Sequence, residues 1–164
     1  MFRIKDITII AFFSAILFVQ EQLFSFLPNV QLTVFLIVLY SKVFGFTKTV
    51  IIILIHTLLD NIVMGSMNLY YFPFMLIGWE LIPIIVYTVF KNTENTYVLA
   101  IVGFVCSFIY SWLFIIPNVL LTKVDIMIYF INDLTFEFLL AISSFLSILW
   151  LYKPCSKLLF KLVD

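Results

Sequence analysis

Three carboxylates lie inside strongly apolar stretches of this chain. Glu80 occurs in Ile77-Gly78-Trp79-Glu80-Leu81-Ile82-Pro83, and Asp133 and Glu137 are four residues apart in a later apolar run. A charged side chain at the centre of a bilayer helix costs about 2.5–3.5 kcal/mol on insertion scales, so it generally faces a cavity and serves a purpose there. For Glu80 the options are a protonated, hydrogen-bonded structural group or a ligand contact with Trp79 as a stacking platform; Gly78 and Pro83 invite a kink beside it. The i,i+4 spacing puts Asp133 and Glu137 on one helix face, and Ala141 and Ser144 continue that stripe. If instead the helix begins a turn later, both acids are interfacial. His56 and Asp60, with Asn61 adjacent, are also four apart. Such a pair is either a proton relay or a polar lock between packed helices, and the lock is favoured.

Catalytic chemistry finds little to work with. There is no phosphate loop, no His-Glu-x-x-His pattern and no Ser/His/Asp arrangement, so an enzyme is not expected. Cys106 and Cys155 fall at different predicted depths and have no disulfide or metal-ligand spacing; neither metal nor cofactor is expected. Nine basic residues balance nine acids, and no basic tract points to nucleic acid.

The elements that position these groups follow from composition. Hydrophobic residues make up 65% of the 164, more than a soluble surface could hide. In lipid every backbone polar group must be satisfied internally, and the runs are too continuous for barrel strands, so helices are predicted. Six segments emerge: about Asp6 to Phe24, Val30 to Phe44, Lys48 to Val63, Leu69 to Phe90, Tyr97 to Pro117 and Met127 to Tyr152. The second and third are short, and Gly45-Phe46-Thr47 between them predicts a tight hairpin. One domain, residues 1–164, is expected: an all-α integral membrane protein with a bundle of six transmembrane helices. The start, Met1-Phe2-Arg3-Ile4-Lys5, imitates a signal peptide, but no Ala-x-Ala cleavage site follows, which predicts a retained first helix.

Arg3, Lys5, Lys42, Lys48, Lys91, Lys153, Lys157 and Lys161 fall on one side of such a bundle, and only Lys123 falls opposite. The positive-inside bias then places both termini in the cytoplasm. Glu21, Asp60 and Asp125 come out near the outer surface, and Glu80 near the midplane. The outer connections, Pro28-Asn29-Val30-Gln31, Gly65-Ser66-Met67-Asn68-Leu69-Tyr70-Tyr71 and Pro117-Asn118, are polar and aromatic. Part of this is the usual interfacial belt, but amides and rings beside acids also suit a flat, polar, cationic small molecule. On the first helix, Ala11 and Ala15 form a small-xxx-small pair that permits close helix approach.

Taken together, these features resemble the substrate-binding S components of energy-coupling factor (ECF) transporters. The resemblance covers essentially the whole chain and rests on its size, its six helices, Leu27-Pro28-Asn29-Val30-Gln31-Leu32 entering the second helix, and Phe44-Gly45-Phe46-Thr47-Lys48 at the next turn. It implies a multi-pass protein of the bacterial plasma membrane that captures a vitamin or related micronutrient from outside. Delivery then depends on a T component and two ATPase subunits, and Ala11 and Ala15 take the T-contacting role. The family's outer-half site maps onto the region of Asn29, Gln31, Trp79, Glu80, Asn132, Asp133 and Glu137. The scarcity of glycine, with four in the chain, departs from the family pattern. Excess outer carboxylates favour a cationic or amine-bearing ligand. Two alternatives stand beside this one: a membrane scaffold of the rod-shape-determining protein D type, and a small proton-coupled secondary carrier using His56 and Asp60.

Overall fold

The helix at the centre of the fold is also the shortest of the predicted segments. In the computed structural model, which describes residues 2–63 and 69–163, α2 runs only from Thr33 to Val43, and every residue from Thr33 to Ser41 is buried. At 1.5 Å per residue its eleven residues reach about 16 Å, roughly half the hydrocarbon core of a bilayer. A helix that is apolar on every side belongs inside a bundle. The other elements are α1 (Ile4–Phe24), α3 (Phe46–Val63), α4 (Phe72–Thr88), α5 (Thr96–Leu113), α6 (Ile115–Thr122) and α7 (Ile126–Val163), with no strand among the described residues. Contacts run from α2 to α1, α3, α4, α5 and α7.

Four stretches are long and apolar enough to cross a membrane: α1, α3, α5 together with α6, and α7. α2 and α4 are shorter apolar helices. Six predicted segments have become seven helices because the fifth divides. Pro117 has no N–H and its ring clashes with the carbonyl four residues earlier, that of Leu113. α5 ends on Leu113, and α6 carries the chain on to Thr122. The sixth segment extends well past its predicted end at Tyr152: α7 continues through Pro154 for 38 residues. Glycine and proline do not break α4 either. Its Gly78 makes room for a neighbour instead, since a Cβ there would lie 2.6 Å from the Tyr110 ring. The predicted hairpin turn is present, and Gly45 takes the left-handed conformation at φ 80° that glycine reaches without steric penalty.

Side-chain pairs fix the directions of the helices. Asp6 meets Lys48 at 2.6 Å, and Glu21 meets His56 at 3.1 Å, so α1 and α3 run parallel. α5 and α7 run antiparallel, with Trp112 opposite Glu137 and Ser107 opposite Ser144. Gly103 gives α7 its close approach, because a Cβ there would meet the tip of Ile148. Trp79 against Tyr110 and Tyr71 against Asn118 make α4 antiparallel to the α5–α6 stretch.

These pairings gather Arg3, Lys42, Lys48, Lys91 and Lys153 at one end of the bundle. There the Lys42 ammonium donates to the carbonyls of Phe90 at 2.6 Å, Lys91 at 2.9 Å and Thr93 at 2.7 Å, tying the C-terminus of α2 to the chain leaving α4. Hydrogen bonds to a charged group contribute about 1.5–3 kcal/mol, and stranded carbonyls add to the loss. Lys42→Met is therefore expected to destabilise the detergent-solubilised protein by about that amount, measured by chemical unfolding, while Lys91→Met stays near the wild-type value.

Candidate functional site

At the opposite end, a cleft of about 300 Å³ opens where α1 stops and α2 has not yet begun. Glu21, Phe24 and Ser25 form one side, and the connection from Leu27 to Gln31 forms the rim. Tyr110, Ser111 and Leu140 close it from α5 and α7. The rim is held by specific bonds. Asn29 adopts φ 57°, a left-handed conformation that asparagine tolerates better than most residues, and its amide nitrogen donates to the Phe136 carbonyl at 3.1 Å. The Gln31 side-chain oxygen accepts from Thr33, and its carbonyl accepts from the Ser143 hydroxyl. Gln20, one residue before Glu21, donates to Thr33 at 2.7 Å and accepts from the Leu32 N–H at 2.9 Å. That N–H belongs to the start of α2, where helix donors lack partners.

Behind the cleft lies a polar layer. His56 is fully buried, and its Nε2 sits 3.1 Å from Glu21 Oε2 but off the line of a hydrogen bond. Asp60 accepts from the Gln22 amide at 3.4 Å. The His56–Asp60 pair of the sequence thus finds its partners on α1, and both contacts join α3 to α1. Trp79 is also fully buried, and its ring stacks on Tyr110 at 3.7 Å between centroids with 20° between planes. Its indole N–H, both imidazole nitrogens and Glu21 Oε2 are buried without a hydrogen-bond partner. Orphaned polar atoms in a native interior are uncommon; others, such as the Tyr40 and Thr96 hydroxyls, lie away from the cleft.

Of the residues singled out from sequence, Asn29 and Gln31 line the cleft, and Trp79 stands one layer behind its wall. Glu80, Asp133 and Glu137 do not meet there. Glu80 is half-buried at the middle of α4, with Oε2 unpartnered, and α4 packs on α2, α3 and α5. Glu137 is buried and accepts from the Trp112 indole N–H at 3.2 Å. Asp133 is half-buried and Asn132 exposed, one turn nearer the start of α7. That helix begins at Ile126, which puts both acids inside it. Of the outer connections, Gly65-Ser66-Met67-Asn68 lies outside the described residues. Leu69 and Tyr70 are exposed, whereas Tyr71 donates to Asn118 at 2.8 Å and Asn118 donates to Tyr129 at 2.9 Å, linking α4, α6 and α7. Ala11 and Ala15 are both exposed on α1, and Ala15 borders a shallow apolar groove with Phe12, Ile16 and Val19.

Glu21 and Tyr110 are the lining residues that sequence reasoning passed over as ligand contacts. The available signal was the polar triplet Gln20-Glu21-Gln22, placed where an apolar helix gives way to a Pro-Asn connection.

The fold and site together define an all-helical, membrane-compatible bundle with a polar cleft at the end away from its lysines. Comparison with family models, with curated proteins and with solved structures finds no match to this chain.

Tyr110 lines the cleft with Trp79 stacked behind it, so loss of the stack should be visible spectroscopically. In a Trp112→Phe/Trp150→Phe background, Tyr110→Ala is expected to red-shift Trp79 emission, admit acrylamide quenching and cost about 3–5 kcal/mol of stability. Tyr110→Phe should preserve all three properties.

Proposed function

We propose that this protein is the substrate-binding S component of an ECF-type importer, capturing a vitamin or related micronutrient and passing it inward with a T component and two ATPase subunits. The observation that carries this reading is the cleft built by the α1–α2 connection against α5 and α7, at the end of the bundle opposite the lysines. With the basic end in the cytoplasm of a bacterial cell, as the positive-inside bias requires, the cleft opens to the outside. Six passes are then made by α1, α2, α3, α4, the α5–α6 stretch and α7, with both termini cytoplasmic. α2 and α4 are short for a bilayer, and α2 tolerates this because protein surrounds it.

The exposed Ala11 and Ala15 leave a low ridge on α1 where a partner helix can pack closely. A scaffold protein has no need of a cleft walled by its first connection. A proton-coupled carrier would use His56 and Asp60 as a relay, yet the ion pair of His56 and the side-chain hydrogen bond of Asp60 both go to α1.

A thermal-shift screen of the purified protein against water-soluble vitamins and their precursors tests the proposal. A true ligand at a hundred times its Kd adds about 2.7 kcal/mol to stability. Ala15→Leu is expected to abolish co-purification with a T component while leaving the ligand-induced shift intact. Absence of any stabilising compound, together with absence of a co-purifying T component, would overturn the assignment.

A further inference from the structure

We infer that the molecule held in the cleft is a small flat ring bearing a positively charged nitrogen, with the Glu21 carboxylate as its counter-charge and Tyr110 as its platform. The inference rests on reading the cleft as the capture site and names what that site takes.

Charge is the first argument. Among the described residues lining the cleft, Glu21 carries the only formal charge, and no lysine, arginine or histidine is present. An anion bound there would be desolvated against a carboxylate with no compensating cation, which is strongly unfavourable. Asp60 lies within electrostatic reach of Glu21 and His56, so two acids face one imidazole in the layer behind.

Unfinished bonding is the second argument, and it is independent of charge. His56 is fully buried, touches Glu21 from behind and has neither ring nitrogen in a hydrogen bond. Glu21 keeps a fifth of its side chain exposed, while its buried Oε2 goes without a hydrogen bond. A carboxylate whose buried oxygen meets only an imidazole, and which keeps a fifth of its side chain exposed, has capacity for a donor arriving from the cleft.

Shape supplies the third. The cleft measures about 300 Å³, at the small end of sites for drug-sized molecules. Phe24, Leu27, Leu140 and the Tyr110 ring give it apolar walls. Tyr110 cannot retreat, because Trp79 is stacked on it and Gly78 leaves no slack beside it. A fixed aromatic ring next to a carboxylate suits a cationic heteroaromatic group, which gains cation–π attraction and an ion pair together.

The test measures binding of each hit from the vitamin and precursor panel by intrinsic fluorescence, to wild-type protein and to Glu21→Gln. The expected hit carries a positively charged nitrogen. Glu21→Gln should weaken it at least about tenfold, the loss of one charge-assisted hydrogen bond. If Glu21→Gln fails to fold, wild-type protein is titrated with the uncharged isostere of the hit, which should bind at least about tenfold more weakly. Tight binding of a neutral or anionic vitamin, unchanged in Glu21→Gln, overturns the charge assignment and leaves the importer reading intact. Equal binding of the cation and its uncharged isostere has the same consequence. If nothing in the panel binds, the capture site itself is refuted and this inference falls with it.

Discussion

Everything in this bundle is arranged around a helix that cannot reach across it. α2 is buried from Thr33 to Ser41, so its backbone ends finish inside or at the edge of an apolar body, where water cannot be relied on to satisfy them. Side chains anchor both ends, and at the first they also satisfy the helix's own backbone. At the N-terminal end Gln20 of α1 accepts the Leu32 N–H and donates to Thr33. At the C-terminal end Lys42 reaches out of α2 itself to three carbonyls beyond α4. Because α2 is also too short, the chain before it must cover the remaining depth as non-helical connection. That connection is the rim of the cleft, so the site is a geometric result of the short central helix.

Polar groups lie at both ends of the molecule. At the basic end several are closed upon one another: Asp6 on Lys48, and Lys42 on carbonyls. At the cleft end Glu21 and His56 face one another and the Trp79 indole N–H is buried without a hydrogen bond, while the Tyr40 and Thr96 hydroxyls are likewise unbonded towards the basic end. Closed networks stabilise and open ones lose stability until something completes them.

Much of the fold was legible in the sequence, because apolar length and proline or glycine punctuation act locally. The hairpin at Gly45 and the existence of all six segments follow from such signals. Pro117 was visible too, but its effect falls four residues upstream at the Leu113 carbonyl, so the break precedes the proline. Pro154 has the opposite outcome, since tertiary packing and a mostly exposed position let α7 continue. The site was harder to read. Depth along a helix follows from counting residues, whereas rotation about its axis depends on which neighbours are packed where. Asp133 and Glu137 share a face of α7, as their spacing predicts, yet Glu80 on α4 sits apart from them and none of the three lines the cleft. Asn29 and Gln31 were found because a Pro-Asn connection is a local signal. Glu21 was missed as a contact because its partner His56 lies 35 positions away on a helix made adjacent only by the parallel packing of α1 and α3.

The length of α7 has a mechanical side. Its 38 residues reach about 57 Å, nearly twice the hydrocarbon thickness of a bilayer, as a single rod. Leu140 in that rod forms part of the cleft wall, and Lys153 belongs to the basic end. Pro154 removes the bond to the Trp150 carbonyl, which makes this the softest point of the rod. Above the softened turn, α7 is locked to α5 through Ser144 and Glu137. Below it, Leu159 still packs into the core, while Leu158 and Phe160 are exposed. A force applied to the terminal turns would therefore be absorbed first at Pro154, and one applied to the cleft wall would be carried down as far as that same turn.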